Sequence, residues 1–193
     1  MNNLNPKESE QLIDDSQQLQ NGNSKTKKFI RPLVLVLLIG MFGYFAYGMI
    51  HQSKKTDTGD KAYNFSLPNL DGSTTKLSDY KGKTIVINYF ATWCEPCKEE
   101  APELAQYAKD YGKKYPLIMI DRGETKDDVK EFLKKNKSTA TFLFDYNATV
   151  GKIYNVTGQP ETFIIDRDGI IREHYNGPLS EGQIYDFVKK YDK

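Results

Sequence analysis

The distribution of apolar and polar positions divides the chain into a polar start, one long apolar run and a patterned globular remainder. Residues 1–28 are rich in Asn, Gln, Lys and Ser and carry too few apolar positions for a core, so they are expected to form a disordered tail. Leu33 to Ile50 is uncharged and mostly apolar. As a helix rising about 1.5 Å per residue it reaches roughly 27 Å, close to the hydrocarbon thickness of a bilayer. A transmembrane anchor helix is therefore expected over 29–50. A cleaved signal peptide is the rival, but its apolar core is about 7–15 residues long and ends in a small-x-small site. Here the run is longer, ends in Tyr47-Gly-Met-Ile-His-Gln52, and holds no Cys for a lipid anchor. Residues 51–61 are polar and read as a tether, leaving 62–193 as the folded domain.

Within that domain the periods alternate between strand and helix. Tyr63 to Leu67 and Ser73 to Leu77 flank Asp71-Gly72 and predict a hairpin. Thr84 to Phe90 is a continuous apolar run suited to a strand buried on both faces, and Leu117 to Ile120 is another. Between them a helix is expected from about Glu95 to Lys109, kinked at Pro102. Thr125-Lys-Asp-Asp128 opens a helix to about Lys135, with Val129, Phe132 and Leu133 on its apolar side. A strand at Thr141 to Phe144 and a short helix at Thr149 to Tyr154 follow. Thr162 to Asp166 and Ile170 to Tyr175 predict a second hairpin around Asp168-Gly169. Ser180 and Gln183 have capping-box spacing for a last helix, Glu181 to Tyr191. The order gives an α/β fold: a central mixed sheet flanked by helices.

Charge adds topology and removes candidate functions. The 27 Lys+Arg nearly balance the 26 Asp+Glu, so no nucleic-acid partner is expected. Lys25, Lys27, Lys28 and Arg31 precede the apolar run while Lys54 and Lys55 follow it, which orients the N-terminus to the cytoplasm and the domain outside it. Two histidines, His51 and His174, and one Cys pair supply too few ligands for a zinc site, so neither a metal nor a cofactor is expected.

The chemistry lies in Cys94-Glu95-Pro96-Cys97, which holds both cysteines of the chain and joins a buried strand to a helix. A sulfur at a helix N-terminus meets unpaired N–H groups and the positive end of the dipole, which favour the thiolate. Cys94, expected at an exposed helix start, is the attacking sulfur. Cys97, one turn further and more buried, resolves the mixed disulfide. Pro96 is tolerated in a first turn, and the charge of Glu95 opposes the Cys94 thiolate. Closing a four-residue loop stabilises by only roughly 2 kcal/mol, a weak reason for a purely structural bridge.

The segments Phe90-Ala-Thr-Trp-Cys-Glu-Pro-Cys-Lys-Glu-Glu100 and Thr157-Gly-Gln-Pro-Glu-Thr-Phe-Ile-Ile-Asp166 resemble the membrane-anchored thioredoxin-like proteins of the TlpA/ResA/CcmG group. The resemblance covers about Ala62 to the C-terminus, including Leu77-Ser-Asp-Tyr-Lys-Gly-Lys83. It implies a thioredoxin-like fold with an N-terminal β-hairpin and a central inserted helix and strand. It also implies that Pro160 is a cis-proline whose loop packs on the Cys pair. Trp93, Glu95, Pro96, Gln159, Pro160 and Glu161 would then meet the client. Glu100 matches an acidic residue of ResA-like proteins, and at Cys97+3 it lies about 60° away in helical projection, where a carboxylate can exchange a proton with the thiol. On the other reading Glu100 joins Glu99 and Glu103 on a solvated face. Asn88 stands where ordinary thioredoxins have a buried Asp.

The expected activity is a thiol–disulfide oxidoreductase acting outside the cytoplasm on disulfide-bearing client proteins. The resemblance implies a single-pass, monomeric protein of a bacterial cell membrane, fed by a membrane dithiol donor. It would reduce apocytochrome c or another secreted redox enzyme. Net disulfide formation or isomerisation, and a non-enzymatic binding module, are the alternatives. A peroxiredoxin is disfavoured, because Ile87 and Ala91 occupy the positions where its signature needs Pro and Thr or Ser.

Overall fold

The computed structural model describes residues 32, 34–44 and 55–192. The expected tail 1–28 lies outside the described residues, as do the remaining positions of the expected anchor and residues 51–54 of the tether. The chain divides into two units, residues 1–53 and 54–193. In the first, residues 32 and 34–44 are helical, and their large apolar side chains are exposed, Val34 at 45% and Tyr44 at 79%. Among the described residues no helix is long and apolar enough to cross a membrane.

The second unit is built on strand β3 (Ile85–Phe90), all six residues of which are buried. Side chains alternate between the faces of a strand. Val86, Asn88 and Phe90 therefore look one way, and Ile85, Ile87 and Tyr89 the other. The core splits accordingly. Val86 and Phe90 pack with Leu104, Tyr107, Val129, Phe132, Ile184 and Val188, whereas Ile85, Ile87 and Tyr89 pack with Phe65, Leu67, Val150 and Tyr154. A strand covered on both faces needs an apolar run, which is what this segment supplies.

Around β3 the sheet runs β5-β4-β3-β6-β7, with β4 Leu117–Asp121, β5 Thr141–Phe144, β6 Glu161–Ile165 and β7 Ile171–Asn176. The β3–β4 and β4–β5 pairs are parallel, and β3–β6 and β6–β7 antiparallel, so the sheet is mixed. β1 (Ser66–Pro68) and β2 (Thr74–Lys76) form a separate two-stranded sheet, shorter than the expected hairpin. Gly72 turns it at φ +91°, and Asp71 accepts from the Ser73 N–H at 2.9 Å. A 3-10 turn, Leu77–Tyr80, follows.

The helices are α1 (Glu95–Asp110), α2 (Lys126–Asn136), α3 (Thr149–Ile153) and α4 (Glu181–Tyr191). α1 continues through Pro102, which removes one intrahelical donor without ending the helix. The described part of the expected tether is docked on the domain. The Thr56 N–H donates to the Ile153 carbonyl and the Gly59 N–H to that of Ile171, both at 2.8 Å. Those backbone bonds place residues 56–61 with the domain and not with a free linker.

α4 begins with a reciprocal cap, Ser180 Oγ accepting from the Gln183 N–H at 3.4 Å while Gln183 Oε1 accepts from the Ser180 N–H at 2.9 Å. Ser180→Ala is expected to lower unfolding free energy by about 1 kcal/mol. Chemical denaturation checks this, with disulfide exchange by the folded variant staying at the wild-type rate.

Candidate active site

The end of β3 delivers the chain through Ala91, Thr92 and Trp93 to Cys94, the N-cap of α1. Cys94 and Cys97 form a disulfide with Cα atoms 5.2 Å apart. Cys94 Sγ accepts from the Cys97 N–H at 3.3 Å, so this sulfur occupies the place where the helix presents its unpaired donors. The same geometry would stabilise a thiolate after reduction. Cys94 is not the exposed sulfur expected from the sequence. It is 6% exposed and Cys97 2%, because β3 ends inside the core and the 157–160 loop covers the pair. Trp93, beside the pair, is exposed, at 69%.

That loop carries the cis peptide Gln159–Pro160, and the Gln159 carbonyl oxygen lies 3.5 Å from Cys94 Sγ. Pro160 is buried, Gln159 is half-buried, and Pro96 and Glu95 are exposed, Glu95 pairing with Lys98 Nζ at 2.9 Å. Glu161 departs from the client-facing role expected of it. It is buried, and its Oε1 accepts from the Thr157 N–H at 2.7 Å, the Gly158 N–H at 2.6 Å and the Thr157 hydroxyl at 2.8 Å. His174 Nε2 meets Oε2 at 2.7 Å. Burial acts to raise this carboxyl, but the bonds from His174, Thr157 and Gly158 hold it below the ordinary range. Its carboxylate is spent on shaping the loop.

Glu100 is likewise inside, at 1% exposure, which removes the solvated-face reading. Asn88, on the helix-facing side of β3, donates through Nδ2 to Glu100 Oε2 at 3.0 Å and to Thr162 Oγ1 at 3.0 Å. The Leu179 N–H, just before α4, donates to Glu100 Oε1 at 2.9 Å. Burial raises the Glu100 pKa to about 7, against the pull of the Leu179 and Asn88 bonds. A carboxyl one turn beyond Cys97 is thus poised to change protonation near neutrality.

Two acids near the site escaped sequence reasoning. Glu124 accepts from the Thr92 N–H at 2.7 Å and from the Thr92 hydroxyl, two residues before Cys94. Asp121, the last residue of β4, is buried behind it. The signal for Asp121 was present as a charge closing an apolar strand.

The model of the AhpC/TSA family matches residues 58–174. The chain belongs to this family. It is 32% identical over 168 residues to the thiol-disulfide oxidoreductase ResA of Bacillus thuringiensis subsp. konkukian (strain 97-27), covering 86% of this chain and 97% of that protein. With ResA of Bacillus subtilis (strain 168) it shares 33% identity over 166 residues, covering 85% and 93%. A solved thiol:disulfide interchange protein of the thioredoxin family from Chlorobium tepidum TLS superposes with a TM-score of 0.61 at 28% identity, covering 70% of this chain and 98% of the other. The thioredoxin-like fold and a ResA-type thiol–disulfide oxidoreductase activity follow. The Cys94–Cys97 disulfide lies inside the matched residues, and membership of a thiol–disulfide oxidoreductase family implies disulfide-bearing substrate proteins.

Proposed function

We propose that the chain is an extracytoplasmic, membrane-tethered reductase of client-protein disulfides, held by residues 29–50 and recharged by a membrane dithiol donor. The observation that carries this reading is the Cys94–Cys97 disulfide at a helix N-terminus with Glu100, a carboxyl near its half-ionised point at neutral pH, one turn beyond. In the reduced protein the Cys94 thiolate attacks one client sulfur, forming a mixed disulfide and releasing the other client sulfur, which takes up a proton. Cys97 passes its proton to Glu100 and attacks Cys94 Sγ. The expelled client sulfur takes up the proton that Glu100 received, so the client leaves as a dithiol and the Cys94–Cys97 bond remains. Two electrons from the donor dithiol then restore the pair. Apocytochrome c or another secreted redox enzyme is the proposed client class, and a monomer, oriented with its N-terminus in the cytoplasm of a bacterial cell, is the proposed form. Supporting the tether are the uncharged run Leu33 to Ile50 and its basic N-terminal flank. The exposed Glu95 favours the reducing direction, since a negative charge beside Cys94 opposes the thiolate that a strong oxidant stabilises.

The test is a trap in cells. Cys97→Ala leaves Cys94 without its resolving partner, so client mixed disulfides should accumulate and be identified by mass spectrometry. The wild-type pair should be found mainly as the dithiol. A wild-type pair held oxidised in cells, with no client captured by the variant, overturns the reductase reading.

A further inference from the structure

The buried carboxyl behind the active-site loop has no role in the exchange steps. Asp121 ends β4, opposite Phe90 of β3 and Phe144 of β5, and is 1% exposed. Its Oδ1 accepts from the Gly123 N–H at 2.9 Å and the Glu124 N–H at 2.8 Å, fixing the turn that presents Glu124. Its Oδ2 is also buried, and no N–H or O–H of the described residues reaches it. The Glu124 N–H bond keeps Glu124 on the same turn, and after burial the Glu124 side chain is the next largest influence raising the Asp121 carboxyl. Two carboxyl groups bond to each other only when one carries a proton. Glu124 in turn grips the Thr92 N–H at 2.7 Å and the Thr92 hydroxyl.

We propose that Asp121 and Glu124 share one proton and together act as positioning residues for Cys94, with the shared proton holding Glu124 on Thr92. The claim rests on Cys94 being the attacking sulfur. When the proton is present, Asp121 donates to Glu124, the pair carries one negative charge, and Thr92 is held. When it leaves, two like charges face each other in a buried setting, the grip on Thr92 loosens, and the extra charge opposes the Cys94 thiolate. Burial, followed by the contact with Glu124, raises Asp121 to about 6, which places the change within a physiological range.

The surrounding charges are otherwise engaged or directed. Arg122 lies against α3, since a Cβ on Gly151 would come 3.3 Å from its Nε. Asp145 accepts from the Gly151 N–H at 2.8 Å, and Lys98 of α1 is paired with Glu95 at 2.9 Å. Asp128, Glu131 and Lys135 of α2 line a cleft of about 240 Å³ together with Thr92 and Lys98. Cys94 and Cys97 do not titrate while joined, so the oxidised protein isolates the carboxyls.

The experiment follows the Thr92 amide of the oxidised full-length chain by NMR between pH 4.5 and 8. The amide should titrate with a midpoint near 6. The midpoint should persist in Glu100→Gln, which removes the buried carboxyl one turn beyond Cys97, and vanish in Asp121→Asn, whose amide donates to Glu124 at every pH. In the reduced protein, alkylation of Cys94 by iodoacetamide should be equal in wild type and Asp121→Asn at pH 5. By pH 8 the variant should react faster than wild type, by about tenfold if one unit charge acts on the thiolate from about 10 Å at an effective dielectric of about 20. A flat Thr92 amide in the wild type, an unchanged midpoint in Asp121→Asn, or a reactivity ratio independent of pH would each overturn the proposal. The NMR arm does not depend on which sulfur attacks, so its failure is distinguishable from an error in assigning Cys94.

Discussion

Cys94→Ser is expected to reduce disulfide exchange by a factor on the order of 10³ or more, because the thiolate is the nucleophile and a serine hydroxyl stays protonated. The fold should survive the change. Cys94 is the N-cap of α1, with its sulfur accepting from the Cys97 N–H at 3.3 Å, and serine is among the preferred residues at that position. Loss of the four-residue loop closure lowers stability by roughly 2 kcal/mol at most on the chain-entropy account, partly offset by the better cap. Reduction of a model disulfide protein, followed beside thermal denaturation of the variant, checks both halves. Turnover retained by a folded Cys94→Ser protein would remove Cys94 from the mechanism and return a binding module to consideration.

The contrast between what is legible in this sequence and what is not follows the range of the interactions. Strand Thr141–Phe144 and helix Glu181–Tyr191 have the bounds their patterns predict. Their signals are local, an apolar run in one case and the Ser180–Gln183 cap in the other. The Cys pair is legible for the same reason, since strand, Cys-x-x-Cys and helix are contiguous. The burial of Cys94 is not, because it depends on the 157–160 loop, far along the chain. Glu161 illustrates the same limit. Beside a proline at the edge of a site, a carboxylate resembles a client contact, yet its partners Thr157, Gly158 and His174 turn it inward. Helical projection gives the angle between Cys97 and Glu100. It says nothing of Asn88 on β3 or Leu179 before α4, which close over that carboxyl from sequence-distant elements. The Asp121–Glu124 pair also needs tertiary structure, because Thr92 comes from another strand's end.

Glu100→Gln should separate the fold's interest from the reaction's. The folded protein holds the Glu100 proton up to about 7, whereas the ordinary value is 4.5. A raised folded pKa means the proton's contribution to stability is complete below 4.5 and is lost as pH climbs through 7. Above that pH the protein carries a buried charge whose penalty relative to acid pH is about 3 kcal/mol. Glutamine removes the charge and keeps the shape. Its oxygen can accept from the Leu179 N–H, and its amide can donate to Asn88 Oδ1, which has no partner among the described residues, once the Asn88 amide rotates. The variant should therefore gain stability relative to wild type between pH 5 and 8, by up to about 3 kcal/mol in urea titrations. Exchange should move the opposite way. With no carboxylate to take the Cys97 proton, resolution of the mixed disulfide near neutral pH should slow by about 10²-fold, and its inflection near pH 7 should disappear. A purely structural Glu100 would yield the stability change with an unaltered pH–rate profile. A proton acceptor yields both, and that opposition arises because the fold tolerates a buried acid at the one turn where Cys97 can use it.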